Sequence, residues 1–178
     1  MLKNMIKLRK ADLDFKEQLL NYQIRNKDFL KQYNPIHKEN FYTLNIQEDI
    51  LAQNILDYEN GNNYVFYIFL EKENLLIGKI SLTNIVRGVF QSCFLGYSLD
   101  KDYLNKGYMS FAISLIVKFA FDNLRLHRIE ANVMPRNKAS LRVLEKNNFI
   151  NEGLATKYLQ INGIWEDHIH MVLLNENY

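Results

Sequence analysis

The sequence predicts an α+β fold, a largely antiparallel sheet with helices packed around it. Three observations carry that prediction. Several segments alternate apolar and polar residues with period two, as half-buried strands do. One later segment places Met109, Ala112, Ile113, Ile116, Val117 and Ala120 on a single helical stripe. The order of segments is strand, two or three helices, three strands, helix, strand, helix, two strands, which groups most strands as neighbours that can pair by hairpins. The strand–helix–strand unit from Cys93 to Met134 is the exception. It demands two parallel strands joined by a right-handed crossover.

Met5–Arg9 alternates and reads as the first strand. Asp12 is placed to cap a helix running to about Arg25, and Phe29–Pro35 reads as a short helix or turn stopped by Pro35. Gln47–Tyr58 has Ile50, Leu51, Ile55 and Leu56 at helical spacing and ends at Asn60-Gly61. Tyr64–Leu70 is a compact aromatic and aliphatic strand, Leu75–Thr83 is its hairpin partner, and Glu73-Asn74 makes the turn. Cys93, Leu95, Tyr97 and Leu99 alternate along another strand, and the striped helix follows Asp100. Ile129, Ala131 and Val133 alternate up to Pro135. Asn137–Lys146 is a short helix with Leu141 and Leu144 inward. Phe149–Gln160 and Ile164–Leu174 are the last strands, joined by an Asn162-Gly163 turn.

The chain has 178 residues, which suits one domain over 1–178. Lys plus Arg number 22 against 20 Asp plus Glu, so the net charge is +2, too mild to point to nucleic acid. Cys93 is the single cysteine, which excludes an internal disulfide and a thiolate zinc cluster. His168 and His170 face one side of a strand, with no third ligand at a matching spacing, so no metal is expected. Met1–Lys10 lacks the apolar run and cleavage site of a signal peptide. The longest uncharged apolar run, Tyr64–Leu70, is too short to span a bilayer, so a cytoplasmic protein with no membrane association is expected.

Three segments can carry chemistry. In Asp100–Ser110 a strand enters a loop with a lone glycine and a helix begins at once. The first N–H groups of a helix have no intrahelical partner, and the helix dipole makes that end positive. An anionic phosphate fits there, Gly107 permits close backbone approach, and Lys106 can add charge. A plain helix start with a glycine in its loop explains the same residues. In Arg128–Ser140 a strand ends at Pro135 and a helix starts near Asn137. Asn137 is either an N-cap accepting from the Ser140 N–H or, with Ser140, a ligand contact at the end of neighbouring strands. In Lys157–His168, Trp165, Asp167 and His168 cluster after a hairpin turn.

Taken together these segments resemble the GCN5-related N-acetyltransferase (GNAT) family, over nearly the whole chain. Leu95-Gly-Tyr-Ser-Leu-Asp100 with Lys106-Gly-Tyr-Met109 is similar to its strand and acetyl-CoA loop. His127–Ser140, Leu144–Phe149 and Glu152-Gly153 are similar to its later strand–helix–strand. Within the family, Asn26–Lys31, Thr83–Phe90, Cys93–Ser98 and Tyr158–His168 resemble the RimJ/RimL-type ribosomal-protein-alanine N-acetyltransferases, RimJ in particular. The resemblance implies a three-layer fold. Its mixed, mostly antiparallel sheet is strongly twisted, with helices on both faces and a splayed central pair near Cys93–Leu99 and Arg128–Met134. It implies acetyl-CoA binding, with Tyr97, Ser98 and Leu99 pairing with pantetheine. The N–H groups of Asn105, Lys106, Gly107, Tyr108, Met109 and Ser110 would hold the pyrophosphate, and Asn137 would meet the pantetheine arm. Ser140 would sit near the sulfur as donor to the departing thiolate, and a backbone N–H near Leu99 would hold the oxyanion. The implied partner is the N-terminus of a small-subunit ribosomal protein. A homodimer is compatible with the family.

The chain departs from the family pattern in two places. Of the loop pattern Gln/Arg-x-x-Gly-x-Gly/Ala only Gly107 remains, between Leu104 and Met109, and Phe94 occupies the strand position where many relatives carry a glutamate base. A lysine amine, with pKa about 10.4, is almost wholly protonated at neutral pH, whereas an α-amine titrates at about 7.7–8.0. That gap corresponds to about 3.5 kcal/mol less work for a base. A site without the strand carboxylate therefore suits a protein N-terminus better than lysine. Glu130, Asp167 or a water can relay the proton, with Asp167 the first candidate. A structural role at a strand end explains Asp167 equally well. Two other readings stay open. One is a polyamine or aminoglycoside acceptor met by Glu48, Asp49, Asp57 and Glu59. The other is a degenerate acetyl-CoA-binding module, favoured by Phe94. Cys93 reads as core, and no acetyl-enzyme is expected.

Overall fold

The computed structural model describes residues 5–178. Residues 1–4, which begin the stretch read as lacking a signal peptide, lie outside the described residues. Seven strands form one mixed sheet: β1 (Ile6–Lys10), β2 (Tyr64–Leu70), β3 (Leu75–Val86), β4 (Ser92–Leu99), β5 (Arg128–Val133), β6 (Ile150–Ile161) and β7 (Ile164–Leu174). Four α-helices accompany them: α1 (Lys16–Leu30), α2 (Leu44–Glu59), α3 (Tyr108–Lys118) and α4 (Lys138–Glu145). The strand order is β1-β2-β3-β4-β5-β7-β6, antiparallel throughout except for the parallel β4–β5 pair. The α+β class and the parallel central pair expected from the pattern are both present.

Strand β2 is apolar at every position because both faces of the sheet are covered there. Tyr67 and Phe69 join Leu19 and Tyr22 of α1, Leu51 of α2 and Leu76 in one core layer. Phe66, Ile68 and Leu70 join the other layer, with Ile80, Leu95, Ile129 and the α3 stripe of Met109, Ala112, Ile113 and Ile116. Helices α1 and α2 thus lie on one face, and α3 and α4 on the other.

Boundaries differ from the sequence pattern for local reasons. Asp12 does cap, but it accepts from Asp14 N–H to open a short 3-10 turn, Leu13–Phe15, and α1 starts only at Lys16. No breaker separates Arg25 from Phe29, so α1 continues to Leu30 and absorbs the start of the expected Phe29–Pro35 element. Helix α2 begins a turn earlier than Gln47, whose N–H bonds to the Thr43 carbonyl at 3.1 Å. Strand β3 runs on to Val86 past an irregularity at Asn84, where φ is +51°. The striped helix loosens after Lys118 into a wider turn, Phe119–Asn123, with Leu124 N–H on the Phe119 carbonyl at 3.2 Å.

Among the described residues no helix is long and apolar enough to cross a membrane.

Candidate active site

The two central strands part company midway. Ser92, Cys93 and Phe94 pair with Arg128, Ile129 and Glu130, and there the parallel ladder stops. Leu95–Leu99 continue paired only to β3, and Ala131–Val133 only to β7. The edge of β4 that faces β5 is left without a strand partner beyond Phe94. Backbone amides on such an edge need another partner, and an extended chain carrying its own amides can supply it. A cavity of about 490 Å³ adjoins this gap. Tyr97, Ser98 and Leu99 line it from β4, Asn105 and Gly107–Ser110 from the loop and α3, and Asn137 and Ser140 from α4.

The start of α3 has the geometry of an anion cradle. Gly107 is its N-cap, with φ +80° and ψ −2°, a left-handed conformation that costs glycine nothing. Asn105 is also left-handed, at φ +59°. The cap makes no side-chain hydrogen bond to the first turn, so the N–H groups of Tyr108–Ser110 are open to a ligand at the cavity wall. Lys106 does not line the cavity. Its Nζ donates to the Asp102 carbonyl at 3.0 Å and lies over the Tyr103 ring.

Helix α1 fixes where this loop leaves the sheet. Arg25 Nε donates to Asp100 Oδ2 at 2.6 Å, and Asp100 is fully buried. Asp100 Oδ1 accepts from Asp102 N–H, opening the turn Lys101–Tyr103. Asn26 Oδ1 accepts from Lys101 N–H at 2.9 Å. Tyr22 donates its hydroxyl to Ser98 Oγ at 2.8 Å, and burial raises the phenol well above its usual range, so it stays protonated. The partners of α1 in these bonds lie 75 or 76 residues away, and the pattern alone does not reveal them.

On the other wall, Asn137 N-caps α4 through Ser140 N–H at 3.1 Å. The cap and the ligand contact are therefore compatible. Its oxygen is engaged, and among the described residues its Nδ2 has no partner and is free for the cavity. Ser140 Oγ lies 2.7 Å from the Tyr97 hydroxyl. Burial pushes the Tyr97 phenol up to about 12, so at neutral pH this pair is two linked hydroxyls. Tyr97 was expected to act through its backbone; its side chain is an addition. Also unforeseen are Phe29 and Leu30 at the end of α1, Tyr33 and Asn34 just beyond it, Arg142 on α4 and Lys146 at its C-cap. The last two share the 139–142–143–146 stripe that runs along α4 to its C-cap, a spacing that tracing the helix from Ser140 would have found.

Asp167 is not among the lining residues. Its Oδ1 accepts from Lys157 N–H at 2.7 Å and holds a left-handed kink in β6, with φ +49° at Lys157. Glu48 pairs with Lys16 at 2.8 Å, and Asp57 accepts from Gln53 and Asn63; the α2 carboxylates do not line the cavity either. Cys93 is buried, and burial pushes its thiol up to about 12, so it is not poised as a nucleophile. Among the described residues no cluster of His, Cys, Asp and Glu could hold a metal ion.

Residues 6–150 match the model of the acetyltransferase (GNAT) domain. The chain is 43% identical to a probable N-acetyltransferase, YjcK, of Bacillus subtilis (strain 168), over 96% of this chain and 94% of that one. It is 34% identical to the ribosomal protein uS5-alanine N-acetyltransferase of Escherichia coli (strain K12), over 85% of this chain and 78% of that one. The crystal structure of the ribosomal-protein-S5-alanine acetyltransferase from Vibrio fischeri superposes with a TM-score of 0.93 at 33% identity, covering 98% of this chain and 95% of that one.

Proposed function

We propose that this chain, which belongs to the acetyltransferase (GNAT) family, acetylates the α-amine of an N-terminal alanine on a ribosomal protein. It is an N-acetyltransferase that uses acetyl-CoA, and the thioester supplies the activated acetyl group. The acceptor is the proposal. It is supported by the likeness to enzymes named for ribosomal-protein alanine. The observation that carries it is Phe94, an apolar residue on β4 opposite Glu130, where a lysine acceptor would call for a strong base. Ribosomal proteins are made in the cytoplasm, and the reaction is assigned there.

In this reading the unpaired β4 edge at Tyr97–Leu99 orients the pantetheine amides, with Asn137 Nδ2 beside them. The N–H groups opening α3 hold the pyrophosphate, and Arg142 and Lys146 add positive charge at the cavity wall. A backbone N–H near Leu99 holds the developing oxyanion. Ser140, backed by the Tyr97 hydroxyl, donates to the departing sulfur. Asp167 holds the β6 kink and acts at most as a positioning residue. A polycationic acceptor finds little support. The α2 carboxylates do not line the cavity, so nothing acidic there is placed to receive it.

The test is intact-mass analysis of an alanine-initiated ribosomal peptide incubated with enzyme and acetyl-CoA. A copy with a blocked α-amine and free lysines runs beside it. One added acetyl group on the free peptide alone is the expected result. Acetylation of both peptides, or of polyamines in preference to either, would overturn the α-amine assignment.

A further inference from the structure

On the sheet face away from Ser140, β5 and β7 bring together a group of polar side chains that the cavity does not use. His170 Nδ1 lies 3.0 Å from Glu130 Oε1. A carboxylate only accepts, so Nδ1 carries the proton and Nε2 of the neutral ring holds a lone pair. That Nε2 is buried with no hydrogen-bond partner, and so is Oδ1 of Asn132, the residue directly opposite His170. Two orphaned buried polar atoms side by side are costly and ask for an explanation in function.

Their position supplies one. Glu130 is the last β5 residue paired to β4, and continuing that offset sets Asn132 level with Gly96. Gly96 is exposed, and its place between Phe94 and Ser98 puts it on the α1 face, one residue before the cavity-lining Tyr97. Tyr97 points to the opposite face and meets Ser140 there. Linked hydroxyls thus line the cavity on one face of the sheet, and the His170–Glu130 pair stands on the other face, outside the cavity wall.

We infer that His170, held in its tautomer by Glu130, takes the proton from the acceptor amine. The inference rests on the acetyltransferase activity and on an amine entering from the Gly96 face. The amine lone pair forms the new C–N bond to the acetyl carbon, the C–S bond breaks, and one N–H proton passes to His170 Nε2. The sulfur leaves as a thiolate and takes a proton from the Ser140–Tyr97 pair, which is replenished from solvent, while His170 returns its proton to solvent. The products are the amide and the CoA thiol. Glu130 is a positioning residue, and its second partner is Arg128, 2.9 Å away, which also pairs with Glu152 at 2.6 Å on β6. Tyr158 of β6 packs T-shaped at 4.8 Å from His170 and, with His168 of β7, completes the charged and titratable surroundings. Tyr158 sits where the β6–β7 pairing lapses between Ala155 and Leu159, and its hydroxyl accepts from Asn132 Nδ2 at 3.4 Å, so the proposal requires the incoming amine to displace this ring from Nε2.

Two readouts test this. Nitrogen-15 NMR of the unliganded protein, labelled at histidine, should show His170 as the Nδ1–H tautomer at neutral pH, and E130Q should lose that preference. The pH profile of kcat with an alanine-initiated peptide should show a limb that vanishes in H170Q. In that variant kcat should fall about 100-fold while the KM for acetyl-CoA is unchanged. The α-amine titrates in both proteins, so only a limb that disappears with His170 counts. An Nε2–H tautomer, or an H170Q profile that keeps its limb and rate, would overturn the assignment. If wild-type enzyme acetylates small amines but no peptide, the ribosomal acceptor fails, and the tautomer and the small-amine profile still decide on His170.

Discussion

Ser140 and Tyr97 show how much one hydroxyl pair can carry. A thiolate leaving without a proton or hydrogen bond is a poor leaving group, and Ser140 Oγ, linked at 2.7 Å to a second hydroxyl, is the proposed donor. Ser140→Ala is expected to lower kcat at least about tenfold, with acetyl-CoA affinity retained, as a turnover assay beside calorimetric binding would show. Unchanged turnover would remove Ser140 from the mechanism. Arg25 is a stability residue by contrast. Arg25→Ala leaves the Asp100 carboxylate buried without its cation, a loss of about 3–5 kcal/mol that a thermal melt would register as a drop of roughly 10 °C. Asn137 and Ser140 were legible because a cap position and a resembling motif coincide. The Tyr97 hydroxyl was not, since its partner lies 43 residues away. The Arg25–Asp100 pair escaped for the same reason, across 75 residues.

The β6–β7 hairpin works as a clasp. Asn162, in its left-handed turn, accepts from Ile36 N–H at 2.6 Å and donates to the Lys31 and Asn34 carbonyls. Arg136 adds a bond to Glu166 at 2.6 Å and another to the Gln32 carbonyl. Together they pin the α1–α2 connection, which contributes Tyr33 and Asn34 to the cavity wall. Asn162→Ala should speed hydrogen exchange at the Ile36 amide and raise the KM for acetyl-CoA several-fold. Arg136 holds the Glu166 carboxyl below its usual range, as Arg128 does for Glu152. A carboxyl depressed in the folded state stabilises above its unfolded pKa, and that contribution fades as pH falls through the folded value. Exchange in the hairpin should therefore quicken below the ordinary carboxylate range, before the core opens. The hairpin itself was plain from Asn162-Gly163 and the alternation around it. Its grip on α1 was not, because turn chemistry specifies a turn and not what the turn touches.

At the scale of the whole molecule, a parallel pair inside an antiparallel sheet makes the cleft. The class and the order of elements along the chain follow from hydrophobic periodicity, which reports which face of each element is buried, and the parallel pair follows from the crossover; the place of β7 between β5 and β6 does not. The point where β4 and β5 separate carries no such signal, because residues on both sides of it keep the same alternation. The family resemblance supplied the splay, and the pairing places its origin at Phe94 and Glu130. In the proposed mechanism Gly96 lies on the acceptor face of the strand whose edge holds the cofactor. A Cβ there would lie 3.4 Å from Ser81 Oγ, an ordinary contact, so Gly96→Val should fold. It should raise the KM for the peptide at least about tenfold and leave acetyl-CoA binding intact, since the added bulk stands on the acceptor face alone. The most direct measurement is a crystal structure with a conjugate joining CoA through its acetyl carbon to the α-nitrogen of an alanine peptide. The pantetheine is expected along the free edge of β4, with the peptide leaving over Gly96 and its nitrogen beside His170. A peptide emerging instead on the Ser140 face, or a CoA arm outside the β4–β5 gap, would contradict the account.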